Sequence, residues 1–267
     1  MPQIEMQSEI PLFFEDRASH ISDNPDWREL CWVSGREPRL WMRPEMYQSL
    51  MRSVQQQLEL TTDHTLLEVG CAAGMLAKGF APLCKQYIGL DIAPGAVAKA
   101  RTLGLPNATF EVANAQQMVY PNGTFDRAVC YDVLTNFDSF AKVEPILREM
   151  VRVLKPGGKA LIGSVPDESC KEAFQKRVAE VNKELDAQFG PPPAPPAPKK
   201  SFLEKVRSVF SKPTPPPAVP EIVCYYFGRD DFHKLGESLG VKTEMFDIHA
   251  ENPYKGFRFN VVYTRPA

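Results

Sequence analysis

The stretch Leu66-Leu67-Glu68-Val69-Gly70-Cys71-Ala72-Ala73-Gly74 decides the fold. Two leucines lead into a carboxylate, and two glycines follow, four positions apart. A second apolar run, Tyr87-Ile88-Gly89-Leu90-Asp91, ends in another acid seventeen residues after Gly74. Two such runs read as neighbouring strands of a parallel α/β sheet that meet a nucleoside-containing cofactor at their carboxyl ends. Glycine accepts positive φ and lets the backbone approach a ligand closely, and an acid ending the second strand is placed to accept from ribose hydroxyls.

Outward from this stretch the chain alternates strand and helix. Residues 65–69, 86–91, 108–113, 125–131 and 159–165 read as strands. Helices are expected over 72–83, from Pro94 to about Leu103 with Gly104 as the stop, and from Pro145 through Leu154 before the sharp turn Lys155-Pro156-Gly157-Gly158. Upstream, Pro44 opens a helix whose Met46, Leu50, Val54 and Leu58 recur every four residues. Residues 1–38 hold Phe13, Phe14, Trp27, Leu30 and Trp32, too apolar for a disordered tail. Downstream, 168–189 reads as a charged helix, and 230–239 as a helix closed by Gly240. Residues 241–248 and 257–264 read as strands that pair antiparallel, because only 249–256 separate them. Strands separated by helices imply parallel pairing and right-handed crossovers, so the fold class is α/β, doubly wound, with an antiparallel last strand.

Four segments follow: an N-terminal lid or extension at 1–43, a cofactor-binding core at 44–189, a proline-rich insertion at 190–220, and the C-terminal part of the core at 221–267. Within the insertion, residues 202–210 space apolar side chains at helical intervals opposite basic ones. A short helix docking on its own domain, a flexible insertion, and a membrane-surface or partner-binding helix all fit that spacing.

Bulk composition excludes several classes. Lys+Arg 31 against Asp+Glu 33 leave no basic excess that would point to nucleic acid. No apolar run approaches the ~20 residues that span a bilayer, and the N-terminus lacks the basic and apolar pattern of a signal peptide. The six cysteines form no Cys-x-x-Cys pair and read as reduced thiols of a cytoplasmic protein. No His/Asp/Glu cluster has metal spacing, so no metal is expected.

The ordered set Glu68-x-Gly70-x-x-x-Gly74, Gly89-Leu90-Asp91-Ile92, Phe110 to Ala115, Phe125-Asp126-x-x-x-x-Tyr131 and Glu149-x-x-Arg152-Val153-Leu154-Lys155-Pro156-Gly157-Gly158 resembles the Rossmann-like (class I) S-adenosylmethionine-dependent methyltransferases. The resemblance covers residues 44–166 well and 222–265 loosely. It implies a seven-stranded sheet with the last strand inserted antiparallel beside the fifth, S-adenosyl-L-methionine as cofactor, and methyl transfer. Its implied cofactor contacts are Glu68, Gly70, Cys71, Ala72 and Gly74 in the first loop, Asp91 for the ribose, and Ile92 against adenine. Asn114, where the family usually has Asp, and the Ala115 amide would meet the adenine edge, and Tyr131 would contribute backbone near the ammonium group. A dinucleotide enzyme would want a third glycine where Ala72 stands, which disfavours hydride transfer.

The chemistry of transfer asks for alignment and, for a hydroxyl acceptor, a base. His249, opening the loop between the last two strands, and Asp132, just after the fourth, are the candidate catalytic residues. A turn or packing role is the alternative for His249. His20, Asn136, Tyr225 and Tyr226 are candidates for the acceptor pocket, with core packing as the alternative for the two tyrosines. The ending Tyr254-x-Gly256-Phe257-Arg258-Phe259-Asn260-Val261-Val262 looks similar to small-molecule methyltransferases of sugar, polysaccharide and secondary-metabolite pathways. The expected acceptor is therefore a small-molecule O or N group. A non-catalytic scaffold that kept the fold, and a protein methyltransferase, are the alternatives.

Overall fold

The computed structural model describes residues 9–192 and 224–267, with side chains from residue 11 onward. The proline-rich core of the insertion and the 202–210 helix expected there lie outside the described residues. Seven strands form one sheet: β1 (Thr65–Val69), β2 (Gln86–Asp91), β3 (Ala108–Val112), β4 (Phe125–Tyr131), β5 (Leu154–Pro166), β6 (Lys242–Asp247) and β7 (Arg258–Thr264). Their spatial order is β3-β2-β1-β4-β5-β7-β6. The first five strands pair in parallel, and β7 runs antiparallel between β5 and β6. The parallel strands and the terminal hairpin are those of the sequence pattern, and the insertion of β7 beside β5 is what the resemblance implied.

Helices cover both faces because side chains alternate along each strand. Leu66, Tyr87, Val129, Tyr131, Leu161 and Val262 pack on one face. That face is closed by α1 (Glu9–His20), α2 (Trp27–Val33), α3 (Pro38–Trp41), α4 (Pro44–Leu58), the short α5 (Ala77–Phe80), α6 (Pro94–Arg101) and one side of α8 (Lys171–Phe189). Leu67, Val69, Ile88, Ala128, Cys130 and Ile162 point to the other face, under α7 (Phe140–Arg152) and α9 (Arg229–Leu239). The four-residue spacing in α4 buries Met46, Leu50, Val54 and Leu58 together; each such side chain contributes about 1.5–3 kcal/mol. No described helix is long and apolar enough to cross a membrane.

Two expected helices differ. Residues 72–76 form turns, and the helix over 72–83 reduces to α5 followed by a 3-10 turn at Ala81–Leu83. Ala72 at φ 45° and Gly74 at φ 81° are left-handed, which no α-helix accommodates. α7 begins at Phe140, with Pro145 inside it. Its buried stripe of Val143, Ile146, Leu147, Met150 and Val151 starts before the proline, so packing outweighs the one backbone donor that proline lacks. The Lys155–Gly158 turn is a bulge within β5: pairing with β4 steps from Phe125–Leu154 to Arg127–Lys159, and Gly157 sits at φ 73°.

Candidate active site

The sheet order reverses between β1 and β4, which are neighbours although two strands lie between them in sequence. In such sheets the crevice beyond the carboxyl ends of those two strands is where ligands bind. Gly70 leaves β1 there and Asp132 leaves β4. The glycine loop is lashed to β2: the Gly70 and Cys71 amides both donate to the Leu90 carbonyl, at 2.8 and 3.0 Å, and the Gly74 amide donates to Cys71 O at 2.8 Å. Asp91 fixes the rest of the bend. Its Oδ2 accepts from the Ala72 amide at 2.8 Å and its Oδ1 from the Ala93 amide at 2.9 Å. The Ile92 amide also bonds to this carboxylate, and of its roughly four acceptor directions one remains for a ligand. Burial pushes the Asp91 carboxyl up, and the amides of Ala93 and Ala72 pull against it.

Glu68 lies beneath the bend, 2% exposed, and accepts from the Tyr87 hydroxyl. Burial pushes its carboxyl up to about 8. It ties β1, just before the bend, to Tyr87 of β2 inside the core. The space that glycine clears at this bend is already used: a Cβ on Gly70 would meet Val133 Cγ2 at 2.4 Å, and one on Gly74 would meet Leu103 Cδ1 at 2.6 Å. Both positions also have left-handed φ, +79° and +81°.

On the other side of the crevice is a cavity of about 580 Å³ between the N-terminal helices, the ends of β4 and β5, and β7. Its polar centre is Asp132, which turns the chain after β4 at φ +61°. Arg36, in the loop between α2 and α3, donates from Nη2 to Asp132 Oδ2 at 3.1 Å, and Arg258 of β7 donates from Nη1 to Oδ1 at 3.0 Å. Ser164, left-handed at φ +60° where β5 slips register, meets the same Arg258 Nη1 with its hydroxyl at 3.0 Å. Arg36 also approaches Met75 Sδ at 3.7 Å, next to Gly74, and lies over the Trp41 ring at 5.1 Å. The Nε atoms of Arg36 and Arg258 are buried without a partner.

The expected site residues divide accordingly. Glu68, Gly70, Cys71, Ala72, Gly74 and Asp91 form one hydrogen-bonded unit, with half-buried Ile92 just beyond it. Asn114 and Ala115 follow β3; the Asn114 Oδ1 accepts from the Gln116 amide at 2.9 Å, and Ala115 packs on the core edge. Tyr131 turns its ring into the core, over Gly163, and so leaves only backbone for the crevice. Asp132 and Asn136 line the cavity. His249 does not: it is 3% exposed, lies 6.1 Å from the Trp41 ring, and has Nε2 3.4 Å from Asn252, both residues of the cavity wall. Burial pushes its imidazole down to about 4, so it is neutral at ordinary pH.

His20 stacks on Trp32 at 5.6 Å and pairs with Asp16, outside the cavity lining. Tyr226 packs edge-on against Phe174, and Tyr225 packs on the α7–α9 side of the sheet; neither lines the cavity. Sequence reasoning missed Arg36, Arg258, Ser164 and the aromatic wall residues Trp41 and Tyr254. Trp41 stands one helix after Arg36, and Tyr254 and Arg258 stood inside the C-terminal stretch already singled out. Nothing local marks any of them as meeting Asp132.

Residues 67–162 match the family described as a methyltransferase domain. Nodulation protein S of Sinorhizobium fredii is 30% identical over 106 residues, which are 39% of this chain and 49% of that protein. The ubiquinone biosynthesis O-methyltransferase of Xanthomonas oryzae is 31% identical over 103 residues, 38% of this chain and 42% of that protein. The chain thus spans about half the length, or less, of the curated relatives it matches. Among solved structures, the N-methyltransferase NodS of Bradyrhizobium japonicum, in complex with S-adenosyl-L-homocysteine, superposes with a TM-score of 0.54 at 18% identity, covering 86% of this chain and 93% of that one; it shares the fold. Residues 67–162 thus carry the methyltransferase-domain match, on a strand order and beside an acid-tied glycine bend that have the form of the Rossmann-like, class I S-adenosylmethionine-dependent methyltransferase fold.

Proposed function

We propose that the chain transfers a methyl group from S-adenosylmethionine to a small-molecule O or N acceptor held in the cavity beside Asp132. The observation that carries the reading is the pairing of two features across one crevice: the Asp91-tied bend, and Arg36 with a buried, unpartnered Nε. The bend presents an acid with a spare acceptor direction to ribose hydroxyls. Arg36, close to Met75 at the end of that bend, is the cation that would receive the cofactor's carboxylate. Ile92 would pack on adenine, and Asn114 and the Ala115 amide would meet its edge. The Gly70–Gly74 backbone and the Tyr131 backbone would line the methionine part. When bound, the cofactor supplies a sulfonium whose methyl carbon is open to displacement. The chain's own work is to orient the acceptor and exclude water.

The described part of the N-terminal segment supports a lid role for it. Gly95, in the first turn of α6, donates to Glu15 of α1 at 2.8 Å, and Lys99 of α6 pairs with Asp23 at 2.6 Å. Among the described cavity residues there is no histidine, and both acids are paired, Asp132 with Arg36 and Arg258 and Glu37 with Arg39. An acceptor that needs no strong base, such as an amine, suits that lining. Two of the curated relatives are named for nodulation and for ubiquinone biosynthesis, which supports a small molecule; two others, of Chlamydia, are named as uncharacterized RNA methyltransferases. We read the chain as acting in the cytoplasm, with the domain limits given above.

A second reading, a binding protein that kept the fold, draws on Val133 filling the space beside Gly70. Calorimetry with S-adenosylhomocysteine and a radiolabelled-methyl screen over metabolite classes separate the two. One-to-one binding with transfer to a small acceptor supports the enzyme. Binding without transfer to any acceptor supports the scaffold, and absence of binding removes both.

A further inference from the structure

Three guanidinium groups line the cavity: Arg17, Arg36 and Arg258. Two acids line it, Glu37 and Asp132, and Glu37 is taken by Arg39 at 2.9 Å. Asp132 is therefore the one lining carboxylate that answers the cavity's own cations, among the described residues. A bound S-adenosylmethionine, a net cation through its sulfonium and ammonium, would add to the surplus rather than cancel it. The surplus is held in low-dielectric surroundings. The Arg36 side chain is 9% exposed and that of Arg258 15%. Arg17 lies over the Phe13 ring at 4.2 Å and the Trp32 ring at 4.8 Å. Buried cationic donors without acceptors are unfavourable until a ligand supplies the missing charge.

The two central arginines differ in what they reach. Arg36 touches the glycine-bend side, through Met75. Arg258 touches only the far side: Asp132, Ser164, Cys224, and the faces of Phe174 at 5.1 Å and Tyr254 at 5.9 Å. Its Nη1 is engaged by Asp132 and Ser164, its Nη2 has only a thiol at 3.9 Å, and its Nε has nothing. The edge formed by Nε and Nη2 is a two-donor fork met only by the Cys224 thiol, with Nε buried and unpartnered. A planar carboxylate matches such a fork with two parallel hydrogen bonds. A phosphate would call for donors beyond this fork, but the other two lining guanidiniums are engaged, Arg17 with the Trp32 carbonyl and Arg36 with Asp132, and no lysine lines the cavity among the described residues.

We propose that the methyl acceptor is a carboxylic acid whose carboxylate is received by the Nε–Nη2 edge of Arg258, with its apolar body against Phe14, Trp41 and Tyr254. This rests on the methyltransferase reading of the same site and narrows its acceptor. Arg36 stays with the cofactor, and Asp132 holds the two arginines apart and in place. The role of Arg258 is to bind and orient the acceptor.

The test titrates the full-length protein, loaded with S-adenosylhomocysteine, with benzoate, benzamide and phenyl phosphate. Benzoate is expected to bind about tenfold or more tighter than its neutral isostere benzamide, the size of a charge-assisted hydrogen-bond pair. Arg258→Gln should erase that ratio while changing S-adenosylhomocysteine affinity less than about threefold. Where the Gln variant does not fold, Arg258→Lys keeps the charge without the fork and should cut the ratio to about threefold. Equal binding of benzoate and benzamide, no benzoate binding, tighter binding of phenyl phosphate, or an unchanged ratio in the variants would each overturn the proposal. In those outcomes retained S-adenosylhomocysteine binding leaves the cofactor reading standing. If S-adenosylhomocysteine itself does not bind, that reading falls, and the benzoate-to-benzamide ratio on the unloaded protein still decides the Arg258 fork.

Discussion

The two sides of the crevice are built differently. The glycine bend is local: Glu68, Gly70, Ala72 and Asp91 lie within 24 consecutive residues on or just after two adjacent strands, and the hydrogen bonds that shape it stay within that stretch and Ala93 just beyond it. The arginine clamp is assembled across the whole chain. Arg36 and Asp132 are 96 residues apart in sequence, and Arg258 and Asp132 are 126 apart. The bend is self-satisfied, whereas the clamp leaves two buried Nε donors unpartnered. One side is a rigid cradle that exists before any ligand arrives. The other is a charged wall that a ligand completes.

The contrast is sharpened first by Asp91→Ala. It strips the acceptor from two buried amides, Ala72 and Ala93, and is expected to destabilise the protein by about 3 kcal/mol in denaturant unfolding. A loss below about 1 kcal/mol would show that the bend does not depend on its acid. Next is Gly70→Ala, where a Cβ collides with Val133 and φ is left-handed; a loss of about 2–3 kcal/mol is expected. Val133→Ala in the same chain should return about half of it, since the collision is relieved and the backbone strain is not. Full recovery would mean that the conformation of the bend is easier for alanine than φ +79° implies.

Asp132→Asn comes third. It leaves Arg36 and Arg258 facing a neutral amide, at a side chain 19% exposed, and should cost about 1–2 kcal/mol. Chloride or benzoate should recover part of that stability, because an anion can replace the lost charge. No dependence on anions would mean that the clamp is a self-contained structural unit.

The last test is a pH slope on the bend side. Unfolded Glu68 ionises near 4.5 while the folded carboxyl holds its proton to about 8. Its contribution to stability is therefore complete below 4.5 and is lost as pH rises through 8, at no more than about 1.4 kcal/mol per pH unit. Glu68→Gln should flatten that slope in thermal melts between pH 5 and 8, set about these two values. His249 works in the opposite direction: held neutral down to about 4 against an ordinary 6.5, it removes stability as pH falls through that window. The double variant separates the two limbs. A Glu68→Gln profile parallel to wild type would place Glu68 ionised in the folded protein.

The local-versus-assembled difference also explains what the sequence could reveal. The strand pattern, the hairpin at the end and the bend were legible because each depends on residues a few positions apart: alternation for the strands, Gly240 at φ +64° for the end of α9, the acid-glycine spacing for the bend. The start of α7 was not, because tertiary burial around Val143 overrode the usual meaning of Pro145. His249 was chosen for chemistry and loop position, but Trp41, from the far end of the chain, and Asn252, in the same turn, wall it off. Arg258 and Arg36 carry no local mark at all. Their role follows from Asp132 and from the register slip that brings Ser164 to Arg258, and both require the folded sheet.

The central claim is that an adenosyl ligand is held by the Asp91-tied bend. Isothermal titration of S-adenosylhomocysteine into wild type and into Asp91→Asn tests it most directly, since asparagine keeps one amide acceptor and hence most of the fold while losing the charge. One-to-one binding to wild type, weakened about tenfold or more in the variant, is the predicted result. Equal affinity for both proteins, or no binding to either, would contradict it.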